Sequence, residues 1–252
     1  KITDLDAFIV VSQYIMHRVN HYISKELIGT RVFIVPNVID SELFKQISYD
    51  SNSTNVIAWV GKIDDHKDWK TFMKIAKKIN DVDDDIEFWM AGGQTCSEQK
   101  SQEVLDLAEE LGIVSRLRWF DRIENHKMAN FYSLVAARGG VCLVTSHCES
   151  FGMAILESLF SGCPVVSTDV GAINEIKNMG DWLKLYSLHD LETATNLCLN
   201  SINDSKEIRQ NFTEKRAILN ERYSSESHSK YYLQLLDAFH LNESQEHLSH
   251  KL

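Results

Sequence analysis

Proline is scarce in this chain, with two residues in 252. Long apolar runs are absent as well: none reaches the roughly 18 residues that a membrane-spanning helix needs, and no basic-then-apolar leader opens the sequence. The five cysteines (96, 142, 148, 163 and 198) are odd in number and form no C-x-x-C. That spacing speaks against a disulfide framework and against a structural zinc site, and fits core thiols in a reducing cytosol. Excess positive charge is missing too. A formal net charge of −10 argues against nucleic acid as a partner and against a broadly membrane-seeking surface. The N-x-S/T sequons beginning at Asn52, Asn203, Asn211 and Asn242 are read as chance in an Asn- and Ser-rich chain.

What is present is alternation. Short β-branched or aromatic runs fall at residues 6–12, 31–36, 55–61, 86–93, 116–120, 141–146, 164–168 and 182–186. Helix-period segments separate them, such as W-K-T-F-M-K-I-A-K-K-I at 69–79 and V-L-D-L-A-E-E-L at 104–111. Strands that alternate with helices of this length predict βαβ units: an α/β fold with a Rossmann-like parallel sheet and helices on both faces. From about 189 to 240 the pattern is helical only, and residues 241–252 read as a polar, frayed tail.

In such sheets a ligand lies across the carboxyl ends of the strands, where helix N-termini face anions. Three strand ends carry suitable chemistry. In G-K-I-D-D-H-K-D (61–68), Gly61 closes a strand without a side chain, and Lys62 and Lys67 share one strand-to-helix loop, where a phosphate would be the natural partner. In A-G-G-Q-T (91–95), Gly92 and Gly93 allow close backbone approach, although paired glycines also serve any tight turn, and neither a Walker loop nor a full G-x-G-x-x-G is present. In S-H-C-E-S-F-G-M-A-I-L-E (146–157), a helix starting near Gly152 points its first amides at the strand ends. Glu149 stands just before that start and Glu157 about one and a half turns inside it. Carboxylates repel phosphate, so each glutamate suits sugar hydroxyls. The ligand sketched by these parts is a diphosphate with a sugar at each end.

S-x-x-E-x-F-G-x-x-x-x-E followed by G-x-P-V-V resembles the signature of retaining glycosyltransferase family 4, which has the GT-B fold. The glycine, basic residue, aliphatic and later lysine at Gly61, Lys62, Ile63 and Lys67 resemble that family's phosphate-binding loop. V-P-N-V-I-D-S-E-L-F at 35–44 resembles its inter-domain linker, and Ala91–Gly93, Leu111–Ile113, Tyr132, Gly171 and Glu175 fall in family order. The resemblance implies that Glu149, Lys67 and Lys62 are the catalytic groups: Glu149 on the donor sugar, the lysines on the departing diphosphate in place of a metal. It implies a donor site built from Gly61, Gly92, Gly93, Phe151, Gly152, Met153, Ala154 and Glu157, with Glu157 on the ribose and the base near Arg118 to Arg122. No nucleophile is assigned, since retention in this family is thought to proceed by front-face attack. Lys62 stands where arginine is common, exchanging a bidentate fork for a point charge, and Val38, Asp68 and Asp121 replace frequent glycines.

The resemblance further implies a donor-binding half, at 55–240, of a longer two-domain enzyme. Residues 1–28 would be a remnant of an N-terminal acceptor domain and 29–54 a linker and the start of the C-terminal domain. The expected partners are a UDP- or GDP-linked sugar, the missing acceptor domain and a glycan or lipid-linked acceptor. No cofactor or metal is expected. The location would be cytoplasmic, peripheral at the inner membrane face through the missing domain. Two alternatives stand beside hexosyl transfer: a non-hydrolysing sugar-nucleotide epimerase and a non-catalytic nucleotide-sugar-binding module. His17 and His21, four apart, read as a solvent face, the five tryptophans as core, and His147 as either near the donor sugar or a loop filler.

Overall fold

The computed structural model describes residues 7–23, 31–50, 54–93, 96–176 and 178–249. Gln94 and Thr95 of the paired-glycine loop, the Asn52 sequon and the first six residues lie outside them. Every strand expected from the sequence is present: β1 (Ala7–Val10), β2 (Arg31–Ile34), β3 (Val56–Val60), β4 (Glu87–Ala91), β5 (Leu117–Phe120), β6 (Val141–Val144), β7 (Val165–Thr168) and β8 (Leu183–Tyr186). Helix α1 (Gln13–Ile23) links the first two strands, α2 (Trp69–Asn80) follows β3, α3 (Glu98–Glu110) follows β4, and α4 (Met128–Ala137) follows β5. Helix α5 (Met153–Phe160) joins β6 to β7, and α6 (Leu191–Asn203), α7 (Ser205–Gln210), α8 (Phe212–Tyr223) and α9 (Ser225–Ser249) complete the chain as helices only. Helix α9 carries the helical backbone to Ser249, into the stretch expected to be a frayed tail.

Strands β3 to β8 form one wholly parallel sheet in the order β5-β4-β3-β6-β7-β8. The chain builds outward from β3 in one direction, then returns to place β6 on its other side. That reversal opens a crevice between the carboxyl ends of β3 and β6, the position where doubly wound sheets take ligands.

The strands are apolar on both faces because both faces are covered. Along β3, Val56 and Ala58 pack with residues of α4, α5 and α8, while Ile57 and Trp59 pack with α2, α3 and α6. The same alternation divides Trp89 and Ala91 from Phe88 and Met90 on β4. Four of the five tryptophans are accordingly buried; Trp119 is half-buried at the β5 edge. Helix α2 is amphipathic, with Trp69, Phe72, Met73, Ile75, Ala76 and Ile79 buried and lysines on its outer side. Gly140 enters β6 so close to β3 that a Cβ there would lie 2.1 Å from the Val56 carbonyl oxygen.

Strands β1 and β2 pair in parallel as a separate two-stranded sheet. Ser12 Oγ donates to the Ser150 carbonyl at 2.7 Å, joining this small unit to the loop that precedes α5. Glu175 accepts from the backbone N–H groups of Gln13 (3.0 Å) and Tyr14 (2.8 Å), so its carboxylate satisfies the orphan donors at the start of α1. Glu175 thus holds α1 in place, a role that its sequence position did not suggest.

Glu175→Ala removes the acceptor of the Gln13 and Tyr14 amides and leaves Ser12 Oγ, which accepts from Ile15 N–H at 3.2 Å, as the side-chain cap at that end of α1. We expect faster amide hydrogen exchange across 7–23, an opening of the local unit by about 1–2 kcal/mol, with exchange in β3 and β6 unchanged. Equal loss of protection in the large sheet would show that the small unit is not separately held.

Candidate active site at the β3–β6 crevice

The crevice is built by three loops. The first follows β3. Gly61 donates its N–H to the Ala91 carbonyl at 3.0 Å, and a side chain at Gly61 would press on the Trp59 ring and the Lys67 stem. The loop then turns so that Lys62 is exposed and Lys67 half-buried. Thr145, just past β6, fixes this turn: its hydroxyl lies 2.9 Å from the carbonyls of both Lys67 and Asp68, and it accepts from the Trp59 indole N–H at 3.0 Å.

The second loop follows β4. Gly92 has φ 137°, and a Cβ there would stand 1.8 Å from the Gly61 carbonyl oxygen, so only glycine lets the two loops touch. The Trp119 indole donates to the Gly92 carbonyl at 2.6 Å and packs over Gly93.

The third loop leads from β6 into α5. Gly152 takes a left-handed conformation (φ 89°, ψ 46°) as the residue before the helix, and its carbonyl accepts from Ile155 and Leu156. The helix-start amides of Met153 and Ala154 have no acceptor within the helix and face the crevice, as its geometry requires. Phe151 is buried with its ring against Tyr223, so what it offers the crevice is backbone. The backbone of Glu149 is clamped from behind: Ala172 N–H donates to its carbonyl at 2.8 Å, and a Cβ on Gly171 would lie 2.1 Å from that oxygen.

Lys67 and Glu149, distant in sequence, meet directly. Lys67 Nζ lies 2.5 Å from Glu149 Oε1, with 24% and 13% of the two side chains exposed. Ser146 Oγ donates to the same oxygen at 2.7 Å, a partner that sequence reasoning passed over although it stands three residues before Glu149. Glu157 lies deeper. Burial pushes its carboxyl up to about 7, and the Tyr132 hydroxyl, donating from 3.4 Å, offsets that only in part. Tyr132 is itself buried, which raises its phenol well above the ordinary value.

Two cavities record the space between these loops. One of about 390 Å³ is lined by Gly61, Lys62, Lys67, Gly92, Gly93, Arg122 and Ala154 among others. The other, about 410 Å³, is lined by Asn37, Lys67, Glu149 and the run from Phe151 to Ala154, with Glu157. They share Lys67 and Ala154 and form one trough. All eleven residues expected from the sequence line it.

Other expectations meet a different outcome. Arg118 turns to Glu87 at 3.5 Å and is not brought to the trough, whereas Arg122 is. His147 turns to Asp68, with its Nε2 2.9 Å from Asp68 Oδ2, and lines neither cavity. Asp68, for its part, caps α2 through Thr71 N–H and engages His147, so its carboxylate does not compete for Lys67. His17 and His21 are exposed, and Cys142, Cys163 and Cys198 are buried. Among the described residues no helix is long and apolar enough to cross a membrane.

Comparison with known proteins agrees with this architecture. Residues 40–217 match the family model described as glycosyl transferases group 1. The D-inositol 3-phosphate glycosyltransferase of Corynebacterium diphtheriae is 29% identical over 122 residues, which cover 48% of this chain and 28% of that protein. Sucrose-phosphate synthase from Thermosynechococcus elongatus superposes with a TM-score of 0.80 at 19% identity, covering 94% of this chain and 60% of that one. Anabaena HepE, solved in complex with UDP-glucose, gives a TM-score of 0.74 at 18% identity, covering 92% and 64%. The chain spans less than half the length of the curated relatives it matches.

The raised carboxyl of Glu157 makes stability depend on pH. Between its ordinary value of 4.5 and about 7 the folded state holds a proton that the unfolded state has released, so stability falls as pH rises through that window. The slope approaches about 1.4 kcal/mol per pH unit. Glu157→Gln should remove this contribution, giving a variant at least as stable as the native chain at pH 8. Urea denaturation at pH 5 and pH 8 measures it; an unchanged pH slope in the variant would place the titration elsewhere.

Proposed function

The chain belongs to the glycosyl transferases group 1 family, and from that premise we propose that its trough binds a nucleoside diphosphate sugar, UDP-linked in the first instance, for transfer with retention of anomeric configuration as in family 4. The observation that carries the proposal is the joining of two cavities at Lys67 and Ala154. Lys67 and Ala154, at the start of α5, stand at that junction; Lys62 lines the first cavity, and Glu149 and Glu157 both line the second. A cation and helix-start amides beside two carboxylates suit a diphosphate bonded to polyhydroxylated rings.

Each group then has a task. Lys62, Lys67 and the amides of Met153 and Ala154 take the diphosphate; their charge and dipoles are fixed before the leaving group develops its own negative charge, so they stabilise the transition state without reorganising. No divalent metal is required at the diphosphate in this scheme. Glu157 accepts from the ribose hydroxyls and Glu149 from those of the donor sugar, while the strip from Asp121 to Ile123 borders the base. Glu149 also holds Lys67 until the donor arrives. The acceptor, a glycan or lipid-linked glycan, supplies the attacking hydroxyl on the face from which the diphosphate leaves, and it must be held against the sugar for the step to be fast. The complex of Anabaena HepE with UDP-glucose supports the choice of donor.

Calorimetry with UDP and a UDP-sugar tests the assignment. Lys67→Ala should weaken both by about 1–3 kcal/mol, the order of a lost charge-assisted contact, and should flatten the salt dependence. Glu149→Gln should leave bare UDP bound at least as tightly, because it frees Lys67, and weaken only the UDP-sugar. Added Mg²⁺ should change neither affinity. Equal weakening of UDP and UDP-sugar by Glu149→Gln would move that carboxylate to the nucleotide and contradict the scheme.

A further inference from the structure

Three side chains from three separate segments converge beside the trough, on its outer side. Asp68 starts α2, His147 follows β6, and His189 follows β8. One ligating atom from each lies within 4.8 Å of the others. The rings of His147 and His189 stand edge to face with centroids 5.7 Å apart. Two of the three residues hold left-handed backbones, Asp68 at φ 47° and His189 at φ 70°; among the described non-glycine residues Asn178 alone shares that region. The Asp68 carboxylate has no lysine or arginine partner among the described residues, and its ion-pair contact is His147. The nearest cation in sequence, Lys67, is committed to Glu149.

Hydrogen bonding explains the contact between Asp68 and His147, but not why a second imidazole is brought to the same place on a left-handed residue. We propose that Asp68, His147 and His189 form a site for a divalent transition-metal ion, zinc in the first instance, with water completing the coordination. Two imidazoles and one carboxylate are a ligand set that zinc takes in open, four-coordinate sites. Bonds of about 2.0–2.1 Å require the ligand atoms to draw in to about 3.3 Å from one another, a closure that exposed imidazoles reach by rotation. Asp68 can serve while still capping its helix, since Oδ1 takes the Thr71 N–H and Oδ2 faces the histidine.

The ion would act on the trough without entering it. Asp68 directly follows Lys67, and His147 precedes Glu149 by two residues, with its own N–H bonded to the His66 carbonyl at 2.9 Å. A metal joining Asp68, His147 and His189 therefore ties the loop of Lys67 to the loop of Glu149 and to the end of β8. The site stands whether or not the trough takes a nucleotide sugar.

The test titrates Zn²⁺ into the full chain in competition with a chromophoric chelator, with Co²⁺ in parallel for its visible spectrum. One saturable equivalent is expected. His147→Ala and His189→Asn, the latter chosen because asparagine tolerates the left-handed backbone, should each weaken Zn²⁺ by on the order of tenfold to a hundredfold, with circular dichroism unchanged. His17→Ala and Asp84→Asn, which disrupt the exposed histidine pair on α1 and the acidic run of Asp83 to Asp85, should leave it unaltered. The Co²⁺ form should show no thiolate charge-transfer band. Affinity that survives both His147→Ala and His189→Asn, a loss caused by His17→Ala, or a thiolate band would each overturn the proposal.

Discussion

Lys67 and Glu149 meet because β3 and β6, far apart in sequence, run side by side. The contact of an ammonium and a carboxylate at 2.5 Å depends on the sheet reversing its order between those strands, and most of the site depends on the contact. It draws the loop after β3 and the loop before α5 to a common wall, places a cation at the junction of two cavities, and leaves Glu149 lining the one that also holds Glu157. Around the pair the scaffold is rigid. Thr145 fixes the carbonyls of Lys67 and Asp68, while Gly171 and Ala172 back the main chain of Glu149. An ion pair with this little exposure is weak support for stability, since desolvation offsets much of the Coulomb gain. Its value in the proposed scheme is positional: it holds a lysine where the diphosphate would be received.

Glu157 is the complementary case. Its carboxyl is lifted to about 7 by burial, so near neutral pH the trough carries a carboxyl poised between its neutral and charged forms. A carboxylate kept there is costly to the fold, and under the proposed scheme that cost is offset when a ligand supplies hydroxyl donors. On that scheme function and stability pull in opposite directions at this residue.

Much of this was legible in the sequence because local patterns write strands and helices directly. The runs at 55–61, 86–93 and 141–146 contain β3, β4 and β6, and the eleven residues expected from the motifs and the family resemblance line the trough, whereas others that line it, such as Asn37 and Met128, were not singled out. Strand neighbours were not legible, since periodicity names an element without naming its partner; the separate pairing of β1 with β2 is one result. Contacts across long separations were equally hidden. Glu175 reads as a family position and turns out to cap α1; of the stretch Arg118 to Arg122 read as bordering the base, Arg118 pairs with Glu87 while Arg122 lines the trough; and His147, read as either a neighbour of the sugar or a loop filler, meets Asp68. In each case the side chain's direction is set by tertiary packing, which no single sequence window contains.

The central claim is that a nucleotide sugar lies across the β3–β6 crevice and takes Lys67 from Glu149. A crystal structure of this chain with a UDP-sugar tests it most directly. The account predicts diphosphate oxygens within hydrogen-bond distance of Lys67 Nζ and the amides of Met153 and Ala154, the ribose on Glu157, and a lengthened separation between Lys67 and Glu149. A diphosphate bound elsewhere, with the ion pair still closed, would contradict it.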